Sequence, residues 1–474
     1  MLHFCSSPRL RPLALAVAAS AALLSGCAAP TRSTADAPAW ATPAQWSSAQ
    51  AESAATPLGE WWGRFDDPVL SSLVQQALAR NTSLRQATAA LRQARAVGDV
   101  QAAGLLPRVG ASSSAQRSRA GGATGNRFAA GFDASWEPDL FGAQSSAVAA
   151  SAADVAAAEA NLGDAQVSLT AEVAANYIAL RGLQARGSIA RSNLATQQET
   201  LQISNWRLQA GLTTSLVTEQ ARAAVEQTAA QIPLLESSLA QTRHALAVLT
   251  GQPPAALDAV LAAAAPVPKA PSDLVLAIPA QTLRQRADVR AAEARIGAAL
   301  ARVSQADAAR YPSLRIGGNL GLGAATLGAL TNGASVASAL LASISVPLFD
   351  GGAARAQIRV QEAALEQARI GYEATLLGAL QDVEDALVAL QGDRERLARL
   401  QAAADAAANA ALLARQRYQS GLIDFPTVLD TQRTLLSAQD GVASAQTNLA
   451  TDHVRLYKAL GGGWTPDLEG TARP

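Results

Sequence analysis

A two-faced strand followed directly by a very long helix occurs twice in this chain. In residues 128–137, every aromatic residue occupies one set of alternate positions and both acids occupy the other, so a strand would carry its aromatic side chains on one face and its acids on the other. Pro138 ends this strand, and the Ala-, Leu-, Gln- and Arg-rich residues 139–232 contain no proline, which predicts a helix. A similar junction lies about 210 residues later, where residues 338–349 lead into a proline-free run that ends at Phe425. The recurrence predicts a duplicated architecture.

The predicted helices are much longer than those of a compact domain. The first, at residues 142–210, would extend about 100 Å at about 1.5 Å per residue, which indicates a rod or the wall of a tunnel. The second is expected at residues 351–420. Two similar six-residue motifs that contain a glycine, at residues 207–212 and 417–422, are expected to end the two helices. A shorter return helix then begins after each motif. The sequence therefore predicts two helical hairpins with similar tips, whose return helices occupy residues 215–250 and 425–460.

Four alternating segments predict membrane-type strands. The uncharged residues 317–349 are also compatible with a transmembrane helix, but their glycines, the pair Asn332-Gly333 that is typical of a hairpin turn, and the period-two alternation favour two strands. Four strands cannot close a membrane barrel, because the open sheet edges would leave backbone groups unpaired in lipid. We therefore expect several chains to share one barrel that continues into a shared cylinder of helices, which is the architecture of a conduit. The strands are expected near residues 105–117, 127–137, 313–323 and 338–349.

The N-terminus has the pattern of an exported lipoprotein. Residues 1–26 carry a charged start and a short apolar run, which is typical of a signal peptide. Residues 24–27 read Leu-Ser-Gly-Cys, the pattern of a bacterial lipobox, so we expect acylation of Cys27. The alternative is a plain signal peptide with an incidental cysteine. The resemblance to lipoproteins implies sorting to the outer membrane, because Ala28 rather than an aspartate follows the cysteine, and residues 27–60 have the composition of an extended tether.

The composition argues against nucleic-acid partners and against enzymatic chemistry. The chain has 38 basic and 38 acidic residues, so no polyanionic partner is indicated. After removal of the signal peptide the histidines are His244 and His453, and neither has a cysteine or an acid pair at metal-ligand spacing. Both are interpreted as packed or solvated side chains. We expect no catalytic residue, no metal and no cofactor other than the lipid on Cys27.

A set of motifs, each weak alone, is specific in combination. They are Trp61-Trp62, SWEPDLFG at 135–142, AEVAANY at 171–177, ALAVL at 245–249 and VPLFDGG at 346–352. Together they resemble the TolC-like outer-membrane efflux protein family, in its lipoprotein branch, and the resemblance covers nearly the whole mature chain. One departure is Ala287, where the family usually has proline, and it affects the start of a helix.

This resemblance implies a homotrimer of α+β membrane subunits, in which four strands per chain form a twelve-stranded outer-membrane β-barrel continuous with a periplasmic α-helical barrel. It implies that the protein is the exit channel of a tripartite efflux pump that passes drugs or other small toxic compounds. The implied partners are a periplasmic adaptor and an inner-membrane transporter, which is expected to be of the RND type. The chain would be lipid-anchored in the outer membrane and extend into the periplasm. The alternatives are the channel of a type I protein secretion system and a lipid-anchored coiled-coil lipoprotein. The coiled-coil alternative explains the long helices but not the four alternating segments.

The resemblance also assigns candidate site residues at the hairpin tips. Residues that match Tyr418 and Asp430 line the periplasmic gate in the family, and Arg417 matches a position that helps to hold neighbouring helices together. Three copies of Asp430 would form an acid ring that favours cations when it is narrow. The adaptor is expected to dock on the two tips, at Gly211, Leu212, Thr213, Gly421, Leu422 and Ile423.

The chain is thus expected to consist of six consecutive segments. They are the signal peptide (1–26), the lipidated tether (27–60), the first structural repeat (61–251), a linker (252–278), the second structural repeat (279–462) and a C-terminal tail (463–474).

Overall fold

The computed structural model describes residues 43, 46–47, 58–269 and 279–464. The predicted signal peptide, Cys27 and most of the tether lie outside the described residues, as do the end of the linker and most of the C-terminal tail. The chain divides into two compact units, one containing residues 93–156 and 293–371 and the other containing the remaining described residues. No helix among the described residues is long and apolar enough to cross a membrane.

The described residues form two series of elements with the same order. The first series is α1 (Pro68–Arg80), α2 (Thr82–Ala103), β1 (Arg108–Ala120), β2 (Ala123–Trp136), α3 (Ala143–Gln209) and α4 (Ser215–Leu249). The second is α5 (Pro279–Gln285), α6 (Ala287–Ala308), β3 (Ser313–Ala324), β4 (Val336–Ser345), α7 (Ala353–Gln419) and α8 (Phe425–Ala459). The long helices α3 and α7 have 67 residues each, and the return helices α4 and α8 have 35 residues each.

The first unit contains a four-stranded antiparallel sheet in the order β1-β2-β3-β4. Phe132 of β2 pairs with Leu320 of β3, and Trp136 pairs with Ile316, so the apolar sets of the two strands lie on one face. Asp133 pairs with Asn319 on the opposite face. The two-faced strands predicted from the alternation are therefore confirmed, because directly paired residues project to the same side of a sheet.

The two hairpin turns of the sheet differ from each other. Ala120 pairs with Ala123, so Gly121 and Gly122 form a two-residue turn, and their φ angles of 59° and 86° are those that such turns require. The expected turn at Asn332-Gly333 is wrong. Asn332 has a φ of −78°, and residues 325–335 connect β3 to β4 through two short 3₁₀ helices. An Asn-Gly pair makes the tight turn only when both residues take positive φ angles.

Aspartates position the starts of the long helices. Oδ2 of Asp139 accepts a hydrogen bond from the Ser145 amide at 2.7 Å, and the Asp350 carboxylate accepts two amide hydrogen bonds of 2.8 Å at the start of α7. β4 ends at Ser345, short of the expected residue 349, because Pro347 has no N–H to continue the ladder. Carboxylates at these positions satisfy amides that have no acceptor within the helix.

The core of the second unit is aromatic. Trp61 stacks on Tyr457 with a centroid distance of 5.0 Å and an interplanar angle of 15°. Nearby, the Tyr177 hydroxyl donates to Oδ2 of Asp67 at 2.8 Å, while Oδ1 of Asp67 accepts the first amides of α1. Nε of Arg181 donates to the same hydroxyl at 3.0 Å. Burial, together with the hydrogen bond to Asp67, raises the pKa of Tyr177 to about 12.

The residues from about Pro279 to Arg310 predict one helix from their sequence, but the structure interrupts it. Arg286 separates α5 from α6, and the second helix begins at Ala287. The guanidinium of Arg286 is nearly enclosed: it donates to the Ala459 carbonyl at 2.8 Å and forms a bidentate pair with Asp288, at 3.0 and 2.7 Å. These contacts hold Arg286 outside the helical path, which explains the break that a propensity argument misses.

Candidate functional site

Both helical hairpins end in the same tip structure. In the first, the Leu212 amide donates to the Arg207 carbonyl at 2.8 Å, and in the second the Leu422 amide donates to the Arg417 carbonyl at 2.8 Å. Gly211 and Gly421 take φ angles of 68° and 73°. Crossed amide contacts around a left-handed glycine form the Schellman motif, which ends a helix sharply. The helix ends predicted from the two matching motifs therefore result from hydrogen bonds among neighbouring residues.

The predicted docking residues at the tips are exposed or half-buried. The side chains of Leu212 and Leu422 are 69% and 73% exposed, whereas Thr213 and Ile423 are half-buried. Each tip therefore projects one leucine into solvent at an equivalent position.

Tyr418 is enclosed within the second tip. Its ring contacts the Phe425 ring edge-to-face, with 5.7 Å between the centroids, in a cluster that includes Ala414 and Val428. The buried Tyr418 hydroxyl has no hydrogen-bond partner in the described part of the chain. In a single chain, this tyrosine therefore packs in a cluster that also contains Ala221 and Ala224 of the first hairpin.

Arg207 of the first hairpin secures Tyr418. Nη1 of Arg207 donates to the Tyr418 carbonyl at 2.7 Å, and its guanidinium carbon lies 4.6 Å from the centroid of the tyrosine ring. Sequence reasoning missed this residue, although the signal was present: residues 207–212 match residues 417–422, so Arg207 is the counterpart of Arg417. Arg207 therefore links the two hairpin tips of one chain.

The other two predicted gate residues differ from the buried Tyr418 in their exposure to solvent. Arg417 and Asp430 are exposed, and neither side chain has an ion-pair partner among the described residues. Among the described residues, no hydrogen bond or ion pair joins the side chains of these three predicted residues within one chain. The structure leaves one cation and one acid of the second hairpin available for contacts beyond the chain.

Polar side chains join the long helix α3 to the return helix α8 behind the tips. The Thr200 hydroxyl of α3 accepts a hydrogen bond from Gln432 of α8 at 3.0 Å, and both side chains are buried. Further along α3, Arg186 forms a bidentate pair with Asp440, with donor–acceptor distances of 2.6 and 3.1 Å. Polar contacts between helices specify how the helices align, and the buried pair of Thr200 and Gln432 does so most strictly because a slip would leave its groups unpaired.

A buried acid and a buried histidine lie next to each other on α8. Asp452 is only 3% exposed, and burial together with the neighbouring Asp393 raises its pKa to about 6. His453 is also 3% exposed, and burial together with Arg394 lowers its pKa to about 4. His453 is therefore a packed histidine. No group of His, Cys, Asp or Glu within the described ranges could hold a metal ion.

Comparisons with known proteins agree with this architecture. A model of the outer membrane efflux protein family matches residues 73–252 and 278–462. The chain is 35% identical over 482 residues to the pyoverdine export outer membrane protein OpmQ of Pseudomonas putida, covering 98% of each chain. It is 32% identical over 412 residues to the toluene efflux pump outer membrane protein TtgF of Pseudomonas putida, covering 85% of each chain.

Solved structures of outer-membrane channels share this fold. The outer-membrane channel OprN superposes with a TM-score of 0.84 at 36% identity, covering 90% of this chain and 99% of that one. The open state of the MtrE channel of Neisseria gonorrhoeae gives a TM-score of 0.79 at 28% identity, covering 90% of this chain and 97% of that one. The predicted family is confirmed: this chain belongs to the outer membrane efflux protein family.

Proposed function

We propose that this chain is one of three identical subunits of an efflux exit channel, in which their sheets close a twelve-stranded barrel and their helical hairpins extend it as a tunnel through the periplasm. The observation that carries this proposal is the sheet. One of its faces is apolar, and the outer edges of β1 and β4 have no strand partner among the described residues. In lipid these edges must be paired, and pairing β4 of one copy with β1 of the next satisfies both.

The two halves of the chain act as structural repeats around this tunnel. The equal lengths of α3 and α7, and of α4 and α8, support this arrangement because each half then contributes one wall segment of the same height. A ring of three chains would contain six such segments.

The cargo we propose is small organic compounds. The support is that two relatives are named for the export of pyoverdine and of toluene. The exported compound would arrive from an inner-membrane transporter of the RND type through a periplasmic adaptor, and the adaptor would dock on the exposed leucines Leu212 and Leu422. Acylation of Cys27 would add a lipid anchor to the barrel.

The gate we propose contains two contacts of the same kind, one made by Arg207 and one made by Arg417. Arg207 binds the Tyr418 carbonyl within one chain. In a ring of alternating hairpins, Arg417 would make the equivalent contact with the backbone carbonyl of Leu208 in the neighbouring copy, because Leu208 occupies the position that matches Tyr418. Exposed Arg417 has the freedom for this contact. The periplasmic end would then be held shut by alternating contacts within and between chains.

The proposal is tested with the full-length protein purified from outer membranes. Native mass spectrometry should give the mass of three chains, and planar bilayers should show discrete single-channel steps. A strain that lacks the chain should accumulate a small toxic compound, and the intact gene should restore efflux. A monomeric protein that produces no conductance would contradict the proposed channel.

A further inference from the structure

The β1–β2 hairpin carries two arginines on the apolar face of the sheet. Arg117 pairs with Asn126 and Arg119 pairs with Thr124, in a register that continues without a bulge from Arg108 to Ala120. The side chains of Arg117 and Arg119 therefore project to the same face as Ala111, which pairs with Phe132. Both arginines are exposed.

The apolar face has the height of a membrane's hydrocarbon band. Trp136 and Phe128 lie eight positions apart on β2, or about 27 Å along a strand at about 3.4 Å per residue and about 20 Å once the strand tilts by roughly 40°. Aromatic residues at both ends of such a band are typical of membrane barrels. Because α2, α3, α6 and α7 join the strands at the Trp136 end of the sheet, the Phe128 end carries only the connections between strands.

Arg117 and Arg119 lie just beyond the Phe128 end of this band. Ala115 pairs with Phe128, so the two arginines are two and four positions further along β1, which places them about 7 and 14 Å past the last aromatic residue along the strand. With the strand tilt of roughly 40° these distances become about 5 and 10 Å along the membrane normal, and headgroups occupy about 5–8 Å on each side of the hydrocarbon core, so the long side chain of each arginine reaches this layer. Residues at this level on the outward face therefore contact lipid headgroups.

In the described strands, the face of the sheet that carries these arginines has no acidic residue to compensate their charge. No acidic residue occurs between Arg108 and Phe132, and Asp133 projects from the opposite face of the sheet. The other hairpin, residues 317–349, has no charged residue. Within the described residues, neither Arg117 nor Arg119 makes an ion pair.

We propose that Arg117 and Arg119 form a binding site for the phosphate groups of an anionic lipid in the outer leaflet. Two guanidinium groups about 7 Å apart on one face can each bind a phosphate in a bidentate manner. The site rests on the proposed function, since it requires the sheet to lie in the outer membrane with its helices in the periplasm. It would fix the height of the barrel in the membrane.

The test measures lipid binding by the full-length protein in detergent. The probes are bisphosphorylated lipid A, the same lipid without phosphates, and inorganic phosphate. The wild type should bind bisphosphorylated lipid A, and R117Q/R119Q should bind it about 30-fold more weakly, since each basic residue near an anionic membrane contributes about fivefold to affinity. R117K/R119K should retain most of the binding because the charge remains.

R127Q is the matched control. Arg127 is on the same hairpin and pairs with Gln116, but it projects from the opposite face, so its loss should leave lipid binding within about twofold of wild type. If the wild type binds lipid A equally well with and without its phosphates, the proposal is overturned, whatever the variants show. Competition by inorganic phosphate at equal concentration would assign the site to free phosphate and also overturn it.

The outcome separates this site from the channel function. If the wild type and R117Q/R119Q both form conducting trimers and bind lipid A equally well, only the lipid site is contradicted. If R117Q/R119Q does not assemble, the phosphate dependence of wild-type binding and its weakening by salt decide the question, because arginine–phosphate contacts are screened by ions.

Discussion

The guanidinium of Arg207 lies over the ring of Tyr418, and Nη1 of Arg207 donates to the Tyr418 carbonyl at 2.7 Å. These two residues belong to different helical hairpins and are separated by 211 positions. One arginine thus binds both the backbone and the ring of the other tip's tyrosine. In the proposed channel, this contact ties the second hairpin to the first.

Arg207→Ala should loosen the second tip. The lost charged hydrogen bond and cation–π contact are worth about 1–2 kcal/mol at a half-buried position, so we expect a larger mean single-channel conductance in planar bilayers and greater entry of large antibiotics. Arg222→Ala is the control, because the pair of Arg222 with Glu219 is exposed and lies within one helix. Unchanged conductance in Arg207→Ala would show that this contact does not hold the gate.

Replacing Tyr418 and Asp430 together with alanine should also raise the conductance. The change removes the tyrosine that packs on Phe425 and the exposed acid that we place in a ring around the mouth. Asp405→Ala removes an equally exposed acid from α7 and should have little effect. Wild-type conductance in the double variant, with a normal yield of trimer, would place the constriction elsewhere.

Tyr418→Phe separates packing from a contact of the hydroxyl across the subunit boundary. The hydroxyl is buried without a partner in the described part of the chain, so removing it from an isolated subunit costs nothing and relieves about 1 kcal/mol of desolvation. If packing alone matters, Tyr418→Phe should keep wild-type conductance. A conductance as large as that of the alanine variant would instead assign a partner to the hydroxyl within the trimer.

Leu320→Arg should impair assembly, whereas Asn319→Arg should not. Leu320 pairs with Phe132 on the apolar face and would place a charge in lipid, at a cost of about 2–4 kcal/mol near the midplane. Asn319 pairs with Asp133 on the polar face, where the substituted arginine would be solvated and would lie beside the Asp133 carboxylate. The readout is the heat-modifiable trimer band on gels. Equal trimer yields for the two variants would mean that our assignment of the faces is wrong.

Asp452 and His453 should have opposite effects on the pH dependence of stability. The pKa of Asp452 is raised to about 6, so its stabilising contribution is complete below the unfolded value near 3.9 and is lost as the pH rises through about 6. The pKa of His453 is lowered to about 4, so its contribution is complete above about 6.5 and is lost as the pH falls towards 4. Between pH 4 and pH 6.5 the two effects oppose each other.

Single variants reveal each effect. Asp452→Asn should make the melting temperature fall more steeply on acidification from pH 6.5 to pH 4, because only the histidine then titrates. His453→Gln should make the melting temperature rise over the same interval, by an amount equivalent to about 1–2 kcal/mol. His244→Gln is the control, since His244 is exposed on α4. Identical melting profiles for all three variants would show that neither group titrates in this range.

Much of this architecture is encoded locally in the sequence. The facing of Phe132 and Leu320 follows from a period of two, because successive side chains of any strand point to opposite faces. The ends of α3 and α7 follow from Gly211 and Gly421, whose left-handed backbone needs only neighbouring residues. Such features depend on a few consecutive residues, so the order of the elements and the two faces of the sheet could be predicted from the sequence.

Other features were decided only by tertiary structure. The connection between β3 and β4 avoids the tight turn that Asn332-Gly333 would form alone, and Arg286 interrupts a continuous helical pattern because Ala459 and Asp288 bind its guanidinium. The enclosure of Tyr418 depends on Arg207, which propensity and periodicity cannot connect to it. Contacts between residues far apart in sequence depend on how whole helices align, and that alignment is set by packing summed over their length, which no local pattern contains.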